Sequence, residues 1–289
     1  MKLSIQHTTR YDYSEEVRLN PHILRLRPRS TSRQKVEHYS MEVHPEPVHT
    51  VTIDAIDDSL CHRLYFVGYT SYLEIVTQSL VRADPSLVPE DLHLFSTIAI
   101  LPLIYPDTIF RALMPFLERV DASEVVVEYA QSVAESTRYA TDAFLIELAR
   151  RINREFKQIY REQGWPMDPS DTLRLKEGSC RDLAWLFLAC CRYFGIASRF
   201  VSGYVFDEVR IGDGGELHAW VEVYLLGYGW VGYDPSYACQ AGDRHIKLCA
   251  GVVPQLCAPV DGTFMGGPSS KSSLTTRVII RPAVAGGVI

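Results

Sequence analysis

The chain has 289 residues, 47% of them hydrophobic and 22% charged, with a formal net charge of -6. That size and balance suit a folded protein of one large or two modest domains, not a disordered chain. The acidic balance argues against a dedicated nucleic-acid or anionic-membrane binder. Seven cysteines, an odd number, point to a reducing compartment and not to a disulfide framework.

No apolar run reaches the roughly eighteen residues of a membrane helix. The opening Met-Lys-Leu-Ser-Ile-Gln-His has no apolar signal region. The expected location is therefore cytoplasmic.

From residue 1 to 84 the chain reads as strands, at 3–9, 17–26, 36–43, 48–56, 64–67 and 71–80. Each is short, rich in β-formers and bounded by Pro, Asp, Ser or Gly. The spacing predicts an N-terminal β-sandwich-like domain over 1–84. Arg25, Arg27, Arg29, Arg33 and Lys35 alternate with apolar residues or lie in the following loop, and read as one solvated face.

The second domain is expected over 85–289. Residues 85–106 read as a Pro- and Leu-rich linker with a short helix. A helical lead-in covers 107–161, with helices expected at 107–119, 122–139 and 142–161; Leu145, Leu148, Ile152 and Phe156 set the period of the last. Residues 163–170, which include Trp165, form a loop.

Residues 177–236 carry the chemistry. Ser179 is placed to cap a helix, with Asp182 three residues on as the second half of a capping box. The helix then runs from Cys180 to about Phe194 and stops at Gly195. It is apolar nearly all round, so it should be buried and rigid. Cys180 falls in its first turn, where unpaired N–H groups and the helix dipole favour an anion: the attacking thiolate, or a developing oxyanion.

Residues 195–206 read as a strand and 207–215 as a polar, Gly-rich loop. A strand at 217–226 puts His218, Trp220 and Glu222 on one face. After a reversal within 226–229, the return strand brings Asp234 to that same face. It lands opposite His218 if the turn is centred near Leu226, or opposite Glu222 if centred on Tyr228. Cys, His and Asp are the residue types of a thiolate nucleophile, its base and the group that orients the base. A lone Cys in an apolar helix or a lone His on a strand is usually structural. The three together, each in a suitable setting, are far more specific.

Beyond Pro235, Cys239, His245, Cys249 and Cys257 invite a zinc reading, but no close Cys-x-x-Cys knuckle occurs among them and no metal is expected. Residues 251–273 look like loop, and 275–281 alternates as a last strand that returns to the N-terminal domain.

Glu-Gly-Ser-Cys-Arg-Asp-Leu-Ala-Trp-Leu-Phe (177–187), Leu-His-Ala-Trp-Val-Glu-Val-Tyr (217–224) and Gly-Trp-Val-Gly-Tyr-Asp-Pro-Ser (229–236) resemble the bacterial transglutaminase-like superfamily. The resemblance is strongest over 156–237. Tyr11-Asp-Tyr13 and 17–28 resemble that family's N-terminal β domain. The resemblance implies an α+β fold: a papain-like, transglutaminase-like core in which a buried Cys-bearing helix packs on an antiparallel sheet.

It carries the catalytic roles onto Cys180, His218 and Asp234, over a catalytic core at 156–237 followed by a C-terminal strand segment at 238–289. It also offers Trp165 as an oxyanion donor beside the Cys180 N–H, although a loop tryptophan next to proline also serves as packing. The expected activity is acyl transfer through a thioester on a peptide or protein substrate. Water as acceptor makes a cysteine peptidase or amidase; an amine makes a transglutaminase. A non-catalytic peptide-binding scaffold is the alternative of another class. No cofactor is expected, and the oligomeric state is left open.

Overall fold

The computed structural model describes residues 1–57, 59–84, 100–121, 123–161, 163–209 and 212–283. Most of the expected linker (85–99), and 210–211 of the polar loop, lie outside the described residues.

Strand β1 (Lys2–Leu19) is the spine of the N-terminal region. Leu3, Ile5, His7 and Thr9 alternate inward along it, as a half-buried strand requires. Two separate strands were expected here. The chain stays extended because 2–12 are laddered on β6 (Thr70–Ala83) and 3–13 on β16 (Ser272–Pro282). Backbone pairing on both sides holds the polar stretch after Thr9 in strand geometry, where its side chains carry no strand signal. With β3 (Gln34–His44) on the far side of β6 and β15 (Phe264–Met265) on β1, these strands make a five-stranded sheet.

A second sheet is formed by β2 (His22–Leu24), β4 (His49–Asp54), β5 (Leu60–Tyr65) and β14 (Val260–Asp261). Buried Leu24, Leu64, Leu73 and Ile75 belong to the core common to both sheets. The basic cluster is not the solvated face expected from sequence. Arg25 is half-buried and donates to the Ala258 carbonyl at 3.1 Å, and the Arg29 N–H donates to the Lys247 carbonyl at 3.1 Å. These bonds tie the N-terminal region to chain more than two hundred residues away.

Helices α1 (Asp107–Leu117), α2 (Glu124–Ser136), α3 (Thr141–Glu155), α4 (Pro169–Leu175) and α5 (Cys180–Tyr193) follow. α5 is the hub: it packs against α2, α3, α4 and β10 (Gly215–Leu225). Leu183, Leu186, Phe187 and Leu188 on it are fully buried. Each such side chain contributes about 1.5–3 kcal/mol on leaving water. Arg192 in its last turn is buried as well. Its guanidinium donates to the carbonyls of Ser198 at 2.8 Å, Val252 at 2.7 Å and Glu118 at 3.0 Å. The helix end is thereby fixed to three other segments.

α3 stops at Glu155, six residues before the expected end. Phe156 is already extended, and β7 (Lys157–Gln158) pairs in parallel with β8 (Glu177–Gly178), the two residues just ahead of Ser179. A long-range strand pair takes over from helical periodicity here. Its effect is to hold the backbone immediately before Cys180.

The third sheet has the order β12-β11-β10-β9-β13, with β9 (Ser198–Phe206), β11 (Gly229–Asp234), β12 (Cys239–Gln240) and β13 (His245–Gly251). The last strand, β16, leaves this region and joins the N-terminal sheet. Among the described residues no helix is long and apolar enough to cross a membrane.

Candidate active site

Cys180 opens α5 and is half-buried. The turn that presents it is built around Asp182. One carboxylate oxygen accepts the Ser179 N–H and hydroxyl, both at 2.7 Å. The other accepts the Met167 N–H at 2.8 Å and the Arg161 guanidinium. A fully buried carboxylate with four donors is well satisfied, and here it locks the first turn of α5 to the 161–167 loop. Gly178 is what lets Asp182 fold back so tightly. A Cβ at 178 would lie 2.8 Å from the Asp182 Cβ, so a side chain there would push the turn at Cys180 open.

His218 lies on β10 and Asp234 at the end of β11. The observed ladder pairs Val221 with Tyr233 and Leu225 with Gly229. Continued one step, it sets Asp234 across from Trp220, between the two registers expected from sequence. The turn is centred on Gly227. The face is nevertheless the expected one, because the side-chain period is two, and the imidazole reaches one position along.

His218 Nε2 donates to Asp234 Oδ2 at 2.8 Å. That bond fixes the tautomer and leaves Nδ1 as the basic nitrogen. Nδ1 is buried and has no partner within strict hydrogen-bond geometry among the described residues. Burial disfavours the charged imidazole. The Asp234 carboxylate and then the Cys180 sulfur outweigh it and hold His218 well above its ordinary pKa. Asp234 is fully buried. Burial pushes its pKa up, but His218 and His245 win and hold it well below the usual carboxylate range.

His245 is the member of this group that sequence reasoning assigned elsewhere, to the zinc reading. Its Nε2 donates to the same Asp234 Oδ2 at 3.0 Å, and its Nδ1 accepts the Gly242 N–H at 3.2 Å. The Ser236 N–H reaches Asp234 Oδ1 at 2.8 Å. Two imidazoles and one amide thus surround one carboxylate. The alternation of 245–249 marked a strand, but nothing local places β13 beside β9, two strands away from Asp234. Of the other three residues in the zinc reading, Cys239 is exposed, Cys249 points to the Cys257 carbonyl at 3.8 Å and Cys257 to the Phe200 carbonyl at 3.5 Å.

Trp165 lies in the tethered loop and lines a cavity with Cys180 and His218; it is 56% exposed. A larger cavity of about 830 Å³ also reaches Cys180, lined among others by Ser179, Glu216, Tyr237 and Arg277. Glu216 also places a carboxylate 3.6 Å from His218 Nδ1.

Residues 128–235 match the model of the transglutaminase-like superfamily, and residues 3–82 match the bacterial transglutaminase-like N-terminal region. An uncharacterized protein of Mycobacterium leprae is 25% identical over 288 residues, covering 96% of this chain and 98% of that one. An uncharacterized protein of Mycobacterium tuberculosis is 25% identical over 261 residues, covering 86% of this chain and 82% of that one. A crystal structure described as a putative cysteine protease from Cytophaga hutchinsonii superposes with a TM-score of 0.74 at 16% identity. It spans 100% of this chain and 92% of that one, so the likeness is one of fold. The chain therefore joins a core of the transglutaminase-like superfamily to the bacterial transglutaminase-like N-terminal domain.

Proposed function

We propose that the chain catalyses thiol-dependent acyl transfer on peptide amide bonds, with water as the acceptor. The observation that carries this reading is the divided imidazole of His218. One nitrogen is committed to Asp234, and the other is buried, free of any strict hydrogen bond among the described residues, with the Cys180 sulfur close enough to raise the pKa of the ring.

The Cys180 thiolate attacks the amide carbonyl carbon, forming a C–S bond, while the oxygen takes the negative charge at the N-terminus of α5. The Cys180 N–H donates to that oxyanion, and the Trp165 indole N–H at the cavity rim is the candidate second donor. The His218 imidazolium gives its proton to the amide nitrogen as the C–N bond breaks. A thioester and a free amine result. Water then attacks the thioester as His218 takes its proton, the C–S bond breaks, and a carboxylic acid leaves. Asp234 holds the imidazole and stabilises its charged form in both halves. Water is favoured over an amine acceptor because the cavity beside the half-buried Cys180 is large enough to be wet.

The test is alkylation of the seven cysteines as a function of pH, with the label located by mass spectrometry, in wild type and His218→Ala. Cys180 is expected to label fastest at about pH 6 and to lose that lead without His218. Labelling at Cys180 no faster than at exposed Cys239 in either protein would sink the reading and favour a peptide-binding scaffold. With a peptide substrate in hand, product mass in the presence of a labelled primary amine separates hydrolysis from amine transfer.

A further inference from the structure

Cys180 lines two cavities of different character. The larger is charged, with Arg161, Arg181, Asp213, Glu216 and Arg277 in its lining. The smaller, about 370 Å³, reaches His218 as well as Cys180. Four parts of the chain enclose it, one of them the segment 254–260. Tyr11 on β1 and Leu274 on β16 come from the N-terminal sheet, Trp165 from the loop tethered to Asp182, and Phe200 and Ala219 from the core sheet.

Two of the polar side chains that β1 contributes to this cavity, His7 and Thr9, are bonded to each other. His7 is bonded to the Tyr204 hydroxyl at 2.9 Å through Nδ1 and to the Thr9 hydroxyl at 3.0 Å through Nε2. Burial holds its pKa down at about 4, so it is neutral at pH 7. Outside the Cys180–His218 pair, the one charged side chain in the lining is Arg181, and its guanidinium is engaged by the carbonyls of Arg161 and Gln163. At the rim, an indole stands 56% exposed. A base entering here would lose its hydration and meet no carboxylate in the described lining, and an acid would meet only the buried Arg181 Nε and His218 Nδ1, whereas an apolar group would lose only unfavourable contact with water.

The N-terminal wall is held firmly. β16 is paired along β1 from Leu3↔Pro282 to Tyr13↔Ser272, and the Ile280 N–H donates to the Asp213 carbonyl at 3.0 Å. At the start of β10 the contact is so close that a Cβ at Gly215 would lie 2.2 Å from Ile280 Cδ1. The sheet therefore abuts β10 three residues from His218.

We propose that this cavity, walled on one side by the N-terminal sheet, is a side-chain pocket for an apolar residue of a peptide substrate beside the amide that Cys180 attacks. The proposal rests on the acyl-transfer reading and assigns the N-terminal domain a part in selecting substrate. Trp165 then serves as its outer wall, whatever its N–H does.

The experiment uses the full chain and a set of dipeptidyl acyloxymethyl ketones carrying Phe, Leu, Asp or Lys at either position, with iodoacetamide as a probe lacking a side chain. In each reaction the Cys180 sulfur displaces the probe's leaving group, so the rate of labelling reports recognition. At one of the two positions, Phe and Leu probes should label Cys180 at least about tenfold faster than Asp or Lys probes. Leu274→Asp should shrink that ratio, and so should Trp165→Ala, an exposed site whose substitution keeps the test alive should Leu274→Asp fail to fold. Equal or reversed preferences in a protein whose Cys180 still leads the other cysteines with iodoacetamide would overturn the pocket alone. A Cys180 that is slow even with iodoacetamide would overturn the acyl-transfer reading and the pocket with it.

Discussion

Two buried carboxylates lie on one face of the core sheet, and each is held between two basic side chains. Asp234 receives His218 at 2.8 Å and His245 at 3.0 Å. Glu222, four residues along β10 from His218, receives Lys247 at 2.7 Å and Arg199 at 2.6 Å. The architecture is the same, but the partners differ in what they can give up. Arg199 is a permanent cation stacked 4.1 Å over Trp230, and both it and Lys247 are almost wholly buried against Glu222. Burial lowers the Lys247 pKa from its ordinary value, while the Glu222 carboxylate opposes that and holds both cations in place. Imidazoles exchange protons near neutral pH, and one of them keeps a buried nitrogen without a strict hydrogen bond. A saturated charge cluster braces a sheet; an unsaturated one is available for chemistry.

The sharpest way to test this contrast is a pair of isosteric changes. Asp234→Asn removes the acceptor that fixes the His218 tautomer and should lower kcat/KM by roughly 10³–10⁴ without unfolding the protein. Glu222→Gln should change kcat/KM by less than about twofold. A comparable kinetic loss from both would mean that the two clusters act as one unit.

Truncation should reverse the order for stability. Glu222→Ala leaves two buried cations without their carboxylate and should cost about 3–5 kcal/mol in denaturant unfolding. A cost under about 1 kcal/mol would show that water reaches the cluster.

The pH dependence of stability should separate the two groups by direction. Glu222 is lowered from 4.5 to about 2: burial opposes this, but Lys247 and Arg199 outweigh it. Its stabilisation is therefore complete above about pH 4.5 and is lost as pH falls toward 2, by about 3 kcal/mol. Asp234, held below the usual range, weakens on the same acid side. His218 is raised, so its contribution is complete below its ordinary value of 6.5 and is lost as pH climbs through the raised value. The stabilities of wild type and Glu222→Gln should thus stay a constant distance apart near neutral pH and converge as pH falls toward 2.

A smaller kinetic effect than that of Asp234→Asn is expected from His245→Ala. Loss of one of two donors on Asp234 Oδ2 should lower kcat by about tenfold, near 1.4 kcal/mol. The alkaline limb of the rate profile should move up, because a less shared carboxylate holds the His218 proton more tightly. A drop in kcat with an unmoved limb would make His245 a packing residue only.

The residues of the site were legible to different depths. The capping box at Ser179 and Asp182, the apolar run behind Cys180 and the period-two parity of His218 and Asp234 are local patterns, and each predicts an element without reference to the rest of the chain. The register of Asp234 was not legible, because 226–229 offers turns of similar length that differ only in where the chain reverses. The end of α3 was not legible either: the helical spacing runs through Phe156, and what stops the helix is a strand twenty residues further on.

The sequence by itself determined the chemical types, their order and the element that bears each of them, since capping, helical period and strand alternation act over a few residues. Only the tertiary structure decided that His245 shares Asp234, that Arg25 and Arg29 bind the far end of the chain, and that β1 and β16 wall the cavity at Cys180. Those pairings join residues tens to hundreds of positions apart, and only burial of a common core selects among the many ways such segments can meet.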